Sequence, residues 1–155
     1  MRILVVSDVH DDPRALEQAI AAQPTARNVI FLGDGLRWAE ESEKQHPDRV
    51  FWTVPGNCDW SARDRLPARE EIFGGRRFFF THGHAYRVKY GTDLLESAAR
   101  ERGADIVLFG HTHETCEEYR DGLYLFNPGS LGYDGTYGYV DVEPGGLVTR
   151  ILRLR

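Results

Sequence analysis

Five of the six histidines lie in short polar clusters, each directly after an apolar run of strand length. Histidine and aspartate side chains are ligands for Zn, Mn, Fe, Ni and Co, and one carboxylate can bridge two ions through its two oxygens. The residue types therefore indicate metal ligation. The histidine clusters are Asp8-Val9-His10, His82-Gly83-His84 and Gly110-His111-Thr112-His113.

Two further polar clusters, Gly33-Asp34 and Gly56-Asn57-Cys58-Asp59, also follow apolar strands. In α/β sheets, ligands bind outside the carboxyl ends of the strands, so five strand ends could deliver O or N donors to one place. Each cluster alone could be an ordinary turn or a loop with exposed histidines. Separate turns do not explain why all five clusters share the same setting.

The spacing within two clusters favours chelation. Residues i and i+2 of a strand point to the same side, so Asp8 and His10 are expected to face one ion or two adjacent ions. His111 and His113 are expected to do the same if the strand continues through them. Glycine beside a ligand lets the backbone turn sharply.

The remaining histidine and the tryptophans receive simpler predictions. His46 precedes Pro47 in a polar segment and is predicted to be a solvated surface residue. Trp38 and Trp52 are predicted to pack in the core or at its rim. Trp60 borders a polar cluster, so it is the tryptophan expected to lie nearest to a ligand.

Strand and helix patterns alternate first, and then strands dominate. This order predicts an α/β fold in which two sheets pack together with helices outside, within a single domain spanning 1–155. Gly74-Gly75 between two short strands indicates a hairpin. Strands are predicted at 2–7, 28–32, 49–54, 71–73, 77–81, 106–109, 116–119, 123–126, 137–142 and 147–154, helices at 13–22, 36–45 and 93–102, and a functional loop at 55–67.

Terminal signals define two of the helices. Asp12 and Pro13 match the N-cap and first position of the first helix. Asp93 and Glu96 are spaced like a capping box at the start of the third helix, and Gly103 is expected to end it.

Composition restricts the function classes. No apolar run approaches the ~18 residues of a membrane span, and the short N-terminal run is unlike a signal peptide, so a cytoplasmic location is expected. The formal net charge is −5 without a long basic run, which disfavours nucleic acid as a partner. Bound divalent cations would offset the net negative charge, so the composition does not exclude an anionic substrate. The two cysteines, Cys58 and Cys116, are too few for a disulfide framework.

In their order along the chain, the five clusters resemble the motifs of the calcineurin-like metallophosphoesterases. Asn127-Pro128-Gly129-Ser130 adds a turn typical of the small YfcE-type phosphodiesterase branch. The resemblance covers the whole chain. It implies a four-layer α/β/β/α sandwich of two mixed sheets, with metals at the strand ends.

The resemblance also implies a ligand set for two divalent metal ions, Mn foremost, with Ni, Zn, Fe or Co as alternatives. One ion would be held by Asp8, His10 and His113. Asp34 would bridge, and Asn57, His82 and His111 would hold the other ion. A hydroxide shared by the metals would then attack phosphorus in line, and the expected substrate is a small phosphodiester or a nucleotide.

Three residues are expected to act in catalysis: Asn57, Cys58 and His84. Many family members carry a histidine where this chain has Cys58, and the YfcE-type branch tends to carry cysteine. A neutral thiol, with a pKa of about 8.5, is a poor substitute for imidazolium as a general acid. His84 is expected to face the substrate or to support His82, and it is one candidate for the acid.

Two other functions remain as alternatives. One is a non-catalytic scaffold, because the retromer complex contains a subunit of this fold; against it, the chain retains all seven expected ligands. The other is a nuclease, although no basic or aromatic-interleaved surface is evident. The sequence leaves open a homo-oligomer and the identity of the substrate.

Overall fold

Two mixed five-stranded sheets form the centre of the computed structural model, which describes residues Met1–Arg155. Four α-helices and three short 3₁₀ turns, at Trp60–Ala62, His84–Tyr86 and Val88–Tyr90, complete the chain. The strands are β1 (Arg2–Val6), β2 (Asn28–Phe31), β3 (Val50–Thr53), β4 (Ala68–Phe73), β5 (Arg76–Thr81), β6 (Ile106–Leu108), β7 (Cys116–Arg120), β8 (Leu123–Asn127), β9 (Thr136–Glu143) and β10 (Gly146–Arg153). The helices are α1 (Pro13–Ala22), α2 (Leu36–Gln45), α3 (Asp93–Glu101) and α4 (Leu131–Asp134).

Each sheet contains three parallel strands. The first sheet has the order β10-β9-β1-β2-β3, in which β1, β2 and β3 run parallel and β9 and β10 are antiparallel. The second sheet has the order β4-β5-β6-β8-β7, in which β5, β6 and β8 run parallel. The carboxyl ends of parallel strands meet at one edge, which brings the loops that follow them together.

Alternation along the buried strands builds three apolar layers. In β1, Leu4 and Val6 face α1 and α2, whereas Ile3 and Val5 face the second sheet. In β5, Phe79 packs under α3 while its neighbours on both sides face the first sheet. The predicted α/β/β/α sandwich is therefore confirmed, with one core between the sheets and one under each helical layer.

The first helix begins where its signals predict. Asp12 Oδ1 accepts a hydrogen bond from Ala15 N at 3.1 Å, and Pro13 occupies the first turn. The predicted capping box of the third helix is wrong, because Thr92 is the N-cap and its hydroxyl donates to Glu96 Oε2 at 2.8 Å.

Two local predictions need correction. The strand predicted at 71–73 extends back to Ala68, because the edge strand β4 pairs with β5 along its whole length although half of its residues are charged. His46 is half-buried instead of solvated, since its Nε2 lies 2.7 Å from Glu17 Oε2. None of the four helices has the length and apolarity needed to cross a membrane.

Candidate metal centre

The five polar clusters meet where the two sheets adjoin. They lie in the loops that follow β1, β2, β3, β5 and β6. Asp8 Oδ1 lies 3.1 Å from His113 Nε2 and 3.9 Å from His82 Nε2, so one carboxylate of the first sheet contacts histidines from two loops of the second. The expected convergence of the strand ends is therefore seen.

Two separate sets of three side chains each bring their ligand atoms within 4.8 Å of one another. We call Asp8, His10 and His113 the first cluster, and Asp34, His82 and His111 the second cluster. The structure thus brings together Asp8, His10 and His113 on one side and Asp34, His82 and His111 on the other. A further set joins His10, Asp34 and Cys58, which places Asp34 against both clusters.

The backbone at these positions is left-handed instead of extended. Asp8 and His10 have φ of 54° and 53°, and His111 and His113 have φ of 69° and 61°. The expectation that strand geometry pairs these ligands is therefore wrong. Asp and His tolerate the left-handed region better than most residues, and such strain, of order 1–3 kcal/mol each, gathers at functional sites.

The carboxylate of Asp8 has one satisfied oxygen and one that is not. Asp8 Oδ2 accepts hydrogen bonds from Ser7 Oγ at 2.5 Å and from His111 N at 3.1 Å. Asp8 Oδ1 is buried and has no hydrogen-bond partner, and the same is true of His82 Nε2. Unpaired buried polar atoms are costly, and a cation coordinated to each of them would remove that cost, so these residues fit metal ions.

The orientation of His82 is fixed from behind. His82 Nδ1 lies 2.7 Å from the carbonyl of Leu32, which holds the proton on Nδ1. His82 Nε2 is then free to present a lone pair to the centre. This is the arrangement by which a backbone carbonyl orients a metal-binding imidazole.

Asp34 and His82 influence each other's protonation. Burial favours the neutral carboxyl of Asp34, but the contact with His82, at 3.3 Å, and the Cys58 N–H lower its pKa to about 2. Burial also disfavours a charged His82, but Asp34 and Asp8 raise its pKa above the ordinary value. Without metal, the two carboxylates therefore favour the protonated form of His82.

His111 is neutral under ordinary conditions. Its burial, reinforced by the positive charge of His82 and of Lys89, lowers the pKa of His111 to about 4. A neutral imidazole offers a lone pair to a metal without first losing a proton.

Asp59 orders the loop that carries Asp34. Its Oδ2 accepts hydrogen bonds from Asp34 N at 2.8 Å and Gly56 N at 2.7 Å, and its Oδ1 accepts from Gly35 N and Leu36 N, both at 2.9 Å. This carboxylate therefore stands at the start of α2, where it also complements the helix dipole. The sequence places Asp59 in a polar cluster, but only the structure shows that it holds backbone.

Two glycines permit the close approach of the loops. A Cβ at Gly56 would lie 2.1 Å from Asp34 Oδ1, and one at Gly110 would lie 2.0 Å from Ser7 Oγ. A larger residue at Gly56 would displace the carboxylate of Asp34, and one at Gly110 would displace the Ser7 hydroxyl that donates to Asp8.

The Asn127–Ser130 turn supports two of the ligand loops. The buried Asn127 amide donates to Gly110 O at 3.2 Å and to Thr112 Oγ1 at 3.0 Å, and Ser130 Oγ donates to Asp8 O at 3.0 Å. Ser130 also caps the short helix α4, which the sequence prediction missed.

Tyr133 is a site residue that sequence reasoning also missed. The residue is 68% exposed, and its ring lies 4.8 Å from the ring of His10 and 5.3 Å from that of His113. It comes three residues after the N-cap Ser130, so recognition of that cap would have placed it in the first turn of a helix.

The three expected catalytic residues lie at the rim of the centre. Asn57 and Cys58 are exposed, and Asn57 Nδ2 lies 3.6 Å from Cys58 Sγ. Partial loss of hydration and the charge of Asp34 raise the pKa of the Cys58 thiol, which keeps it neutral. The His84 ring lies 5.5 Å from that of His82, and its Nδ1 is buried without a partner.

Two cavities open at the centre. The larger cavity, about 430 Å³, is lined by residues that include His10, Cys58 and Trp60. The smaller cavity, about 270 Å³, is lined by Asn57 and His84.

Comparison with known proteins identifies the family. Residues 1–144 match the model of the calcineurin-like phosphoesterase superfamily domain. The chain is 39% identical over 165 residues to phosphodiesterase MJ0936 of Methanocaldococcus jannaschii, with 92% of this chain and 94% of that protein covered. It is 34% identical over 136 residues to the probable metallophosphoesterase YsnB of Bacillus subtilis, with 84% and 75% covered. Phosphodiesterase YfcE of Escherichia coli is 28% identical over 168 residues, with 91% and 88% covered.

Solved structures agree on the fold. A novel archaeal phosphodiesterase superposes with a TM-score of 0.73 at 26% identity, covering 98% of this chain and 100% of that one. Vps29 of Chaetomium thermophilum superposes with a TM-score of 0.76 at 17% identity, covering 98% and 95%. The chain belongs to the calcineurin-like phosphoesterase superfamily.

Proposed function

We propose that this member of the superfamily hydrolyses small phosphodiesters with two divalent metal ions. The observation that carries the proposal is that each of the two clusters contains one buried atom without a hydrogen-bond partner. These atoms are Asp8 Oδ1 in the first cluster and His82 Nε2 in the second. The relatives named phosphodiesterases support the reaction class.

The donor set suits transition metals. Asp8, His10 and His113 would hold one ion, Asp34 would bridge, and Asn57, His82 and His111 would hold the other. Imidazole donors favour Mn, Fe, Co, Ni or Zn over Ca, and we propose Mn as the first metal to test.

Bound divalent ions supply Lewis acidity, which lowers the pKa of an attacking water and neutralises the phosphoryl oxygens. The chain's own residues supply orientation. The Leu32 carbonyl directs His82 Nε2 into the centre, and the Ser7 hydroxyl and the His111 N–H fix one oxygen of Asp8. The neutral Cys58 thiol adds no cation near the phosphate, so the leaving group must depart with little help from that position.

A diester fits the surroundings better than a monoester. A diester has two organic groups, and one cavity lies beside His10 while another lies beside His84. A dianionic monoester would fill only one of them and would gain more from a cationic acid than Cys58 provides.

The test starts from protein stripped of metal and reloaded with Mn, Ni, Zn, Fe, Co or Mg. We expect reloaded protein to hydrolyse bis(p-nitrophenyl) phosphate with a higher kcat/KM than p-nitrophenyl phosphate. Absence of turnover with every metal, in protein that retains two ions, would favour the scaffold alternative. The likeness to Vps29, at 17% identity, concerns the fold alone.

A nuclease is the other alternative. Salt-dependent binding of oligonucleotides would favour it, because contacts that follow a phosphate backbone weaken steeply with salt. We expect weak binding, since the net charge of −5 offers little attraction.

A further inference from the structure

The larger cavity is continuous with the centre. His10 of the first cluster and Cys58, which approaches Asp34, both line it. A phosphate group held between the clusters would therefore direct one of its organic groups into this space. Its volume of about 430 Å³ lies within the ~300–1,000 Å³ of small-molecule pockets, whereas the smaller cavity lies below that range.

Trp60, which also lines the larger cavity, differs from the other two tryptophans. Trp38 Nε1 donates to His10 O at 2.9 Å, and Trp52 Nε1 donates to Asn28 Oδ1 at 3.0 Å, so both are half-buried and engaged. Trp60 is instead exposed, with 67% of the residue's surface open to solvent. The Arg63 guanidinium lies 4.5 Å from the centre of its ring and covers part of it. The rest of the Trp60 side chain is an exposed aromatic surface that lines the cavity.

The charges that line the larger cavity are paired. Arg37 Nη2 lies 2.7 Å from Asp11 Oδ1, and Arg65 is paired with Glu40. Asp59 is committed to four backbone N–H groups. Both arginines that line the larger cavity are therefore paired, so the cavity suits a neutral group with an aromatic face.

We propose that the larger cavity is a subsite for the nucleoside portion of a nucleotide ester and that Trp60 stacks on the base. The proposal rests on the proposed function, because it places the phosphate at the metal centre. Every nucleobase has a π face, so the stack selects for a base but not for its identity. Trp60 is then the residue that determines specificity for nucleotides over other esters.

The test compares a nucleotide with the sugar phosphate that carries a hydroxyl in place of the base. Binding of adenosine 5′-monophosphate and of ribose 5-phosphate to Mn-loaded protein is measured by calorimetry. We expect the nucleotide to bind ~10-fold or more tightly than the sugar phosphate, and we expect Trp60→Ala to bring this ratio close to one. Trp60→Phe should keep part of the ratio, since it retains an aromatic face. Tyr119→Ala removes an exposed aromatic ring from β7 and should leave the ratio unchanged.

Several outcomes would overturn the subsite. They are equal binding of the two ligands by the native protein, an unchanged ratio in Trp60→Ala, and no binding of either ligand at millimolar concentration. Tighter binding of ribose 1,5-bisphosphate than of the nucleotide would show that the cavity takes a charged group instead. Hydrolysis of bis(p-nitrophenyl) phosphate is assayed separately. Turnover with equal binding refutes the subsite alone, and selective binding without turnover refutes the proposed function alone.

Discussion

The carboxylate of Asp59 holds the backbone of Asp34, with its Oδ2 accepting the Asp34 N–H at 2.8 Å. The same oxygen accepts the N–H of Gly56, so one atom ties together the loops after β2 and β3. The neighbouring Cys58 N–H donates to Asp34 Oδ1 at 2.8 Å, which closes the contact from the other side. The position of the proposed bridging carboxylate therefore depends on a residue that need not touch metal.

Asp59→Asn tests this dependence. The amide oxygen of asparagine can still accept two of the four hydrogen bonds. Its NH₂ group would face the other two backbone N–H groups, so those two hydrogen bonds are lost and donor groups face each other. We expect the free energy of unfolding to fall by ~1–3 kcal/mol and the affinity for Mn to weaken. Thermal melts and metal titrations of both proteins would check this. Unchanged metal affinity together with an unchanged Tm would refute the positioning role.

Asp34→Asn tests the bridge itself. A bridging carboxylate holds two cations together and offsets their repulsion, and an amide carries no charge to do so. We expect the variant to lose at least one ion. Elemental analysis of native and variant protein after identical loading measures the stoichiometry, and one ion or none in loaded native protein would contradict the two-metal proposal.

His111→Ala separates catalysis from folding. His111 is one of three proposed donors in the second cluster, and its ring is only half-buried, so its removal takes little packing from the core. We expect turnover of bis(p-nitrophenyl) phosphate to fall by more than ~10²-fold while the metal-free protein still melts cooperatively. Activity close to that of the native protein would remove His111 from the ligand set.

Cys58→His tests the leaving-group argument. A protonated imidazole near the phosphate can donate a proton to the leaving group, whereas the neutral thiol is too weak an acid to do so readily. We expect kcat/KM for monoesters and for poorer leaving groups to rise, by ~10²-fold at most, relative to activated diesters. Matched nitrophenyl monoesters and diesters provide the comparison, with Cys58→Ser as the control that adds no acid. A native preference for the monoester, or an unmoved ratio in the variant, would show that Cys58 does not set selectivity.

Metal binding should depend on pH through His82. Asp34 and Asp8 raise the pKa of His82 in the metal-free protein despite its burial, and a metal must displace that proton. Affinity for Mn should therefore weaken as pH falls below this raised pKa. The metal-free protein should behave oppositely, because the stabilisation from protonated His82 is complete below the unfolded pKa of ~6.5 and is lost as pH rises through the folded pKa.

Calorimetric titration with Mn from roughly pH 6 to pH 8, in buffers of different ionisation enthalpy, measures the protons released. Melts of metal-free protein over the same range give the opposite trend in stability. Mn affinity that does not change with pH would contradict the role assigned to His82.

The sequence alone determined the elements and the places where polar clusters follow them. Helix α2 has the predicted bounds 36–45, and Asp12 caps α1 as its spacing indicates. These features depend on interactions within a few residues, namely the apolar period, a cap three residues from its donor and a turn after a strand. The order of five such strand ends was also sufficient for the family resemblance that the comparisons confirm.

Only the tertiary structure decided how the clusters meet. Asp8 and His113 approach within 3.1 Å although they lie 105 positions apart in the sequence, because the two sheets pack through a shared apolar core. Three further features follow from that packing. They are the left-handed backbone of these ligands, the hydrogen bond from Asp34 N to Asp59 and the position of the Tyr133 ring beside His10. A local pattern specifies which side chains a loop carries. Where those side chains point depends on contacts between distant segments, and only the folded chain makes those contacts.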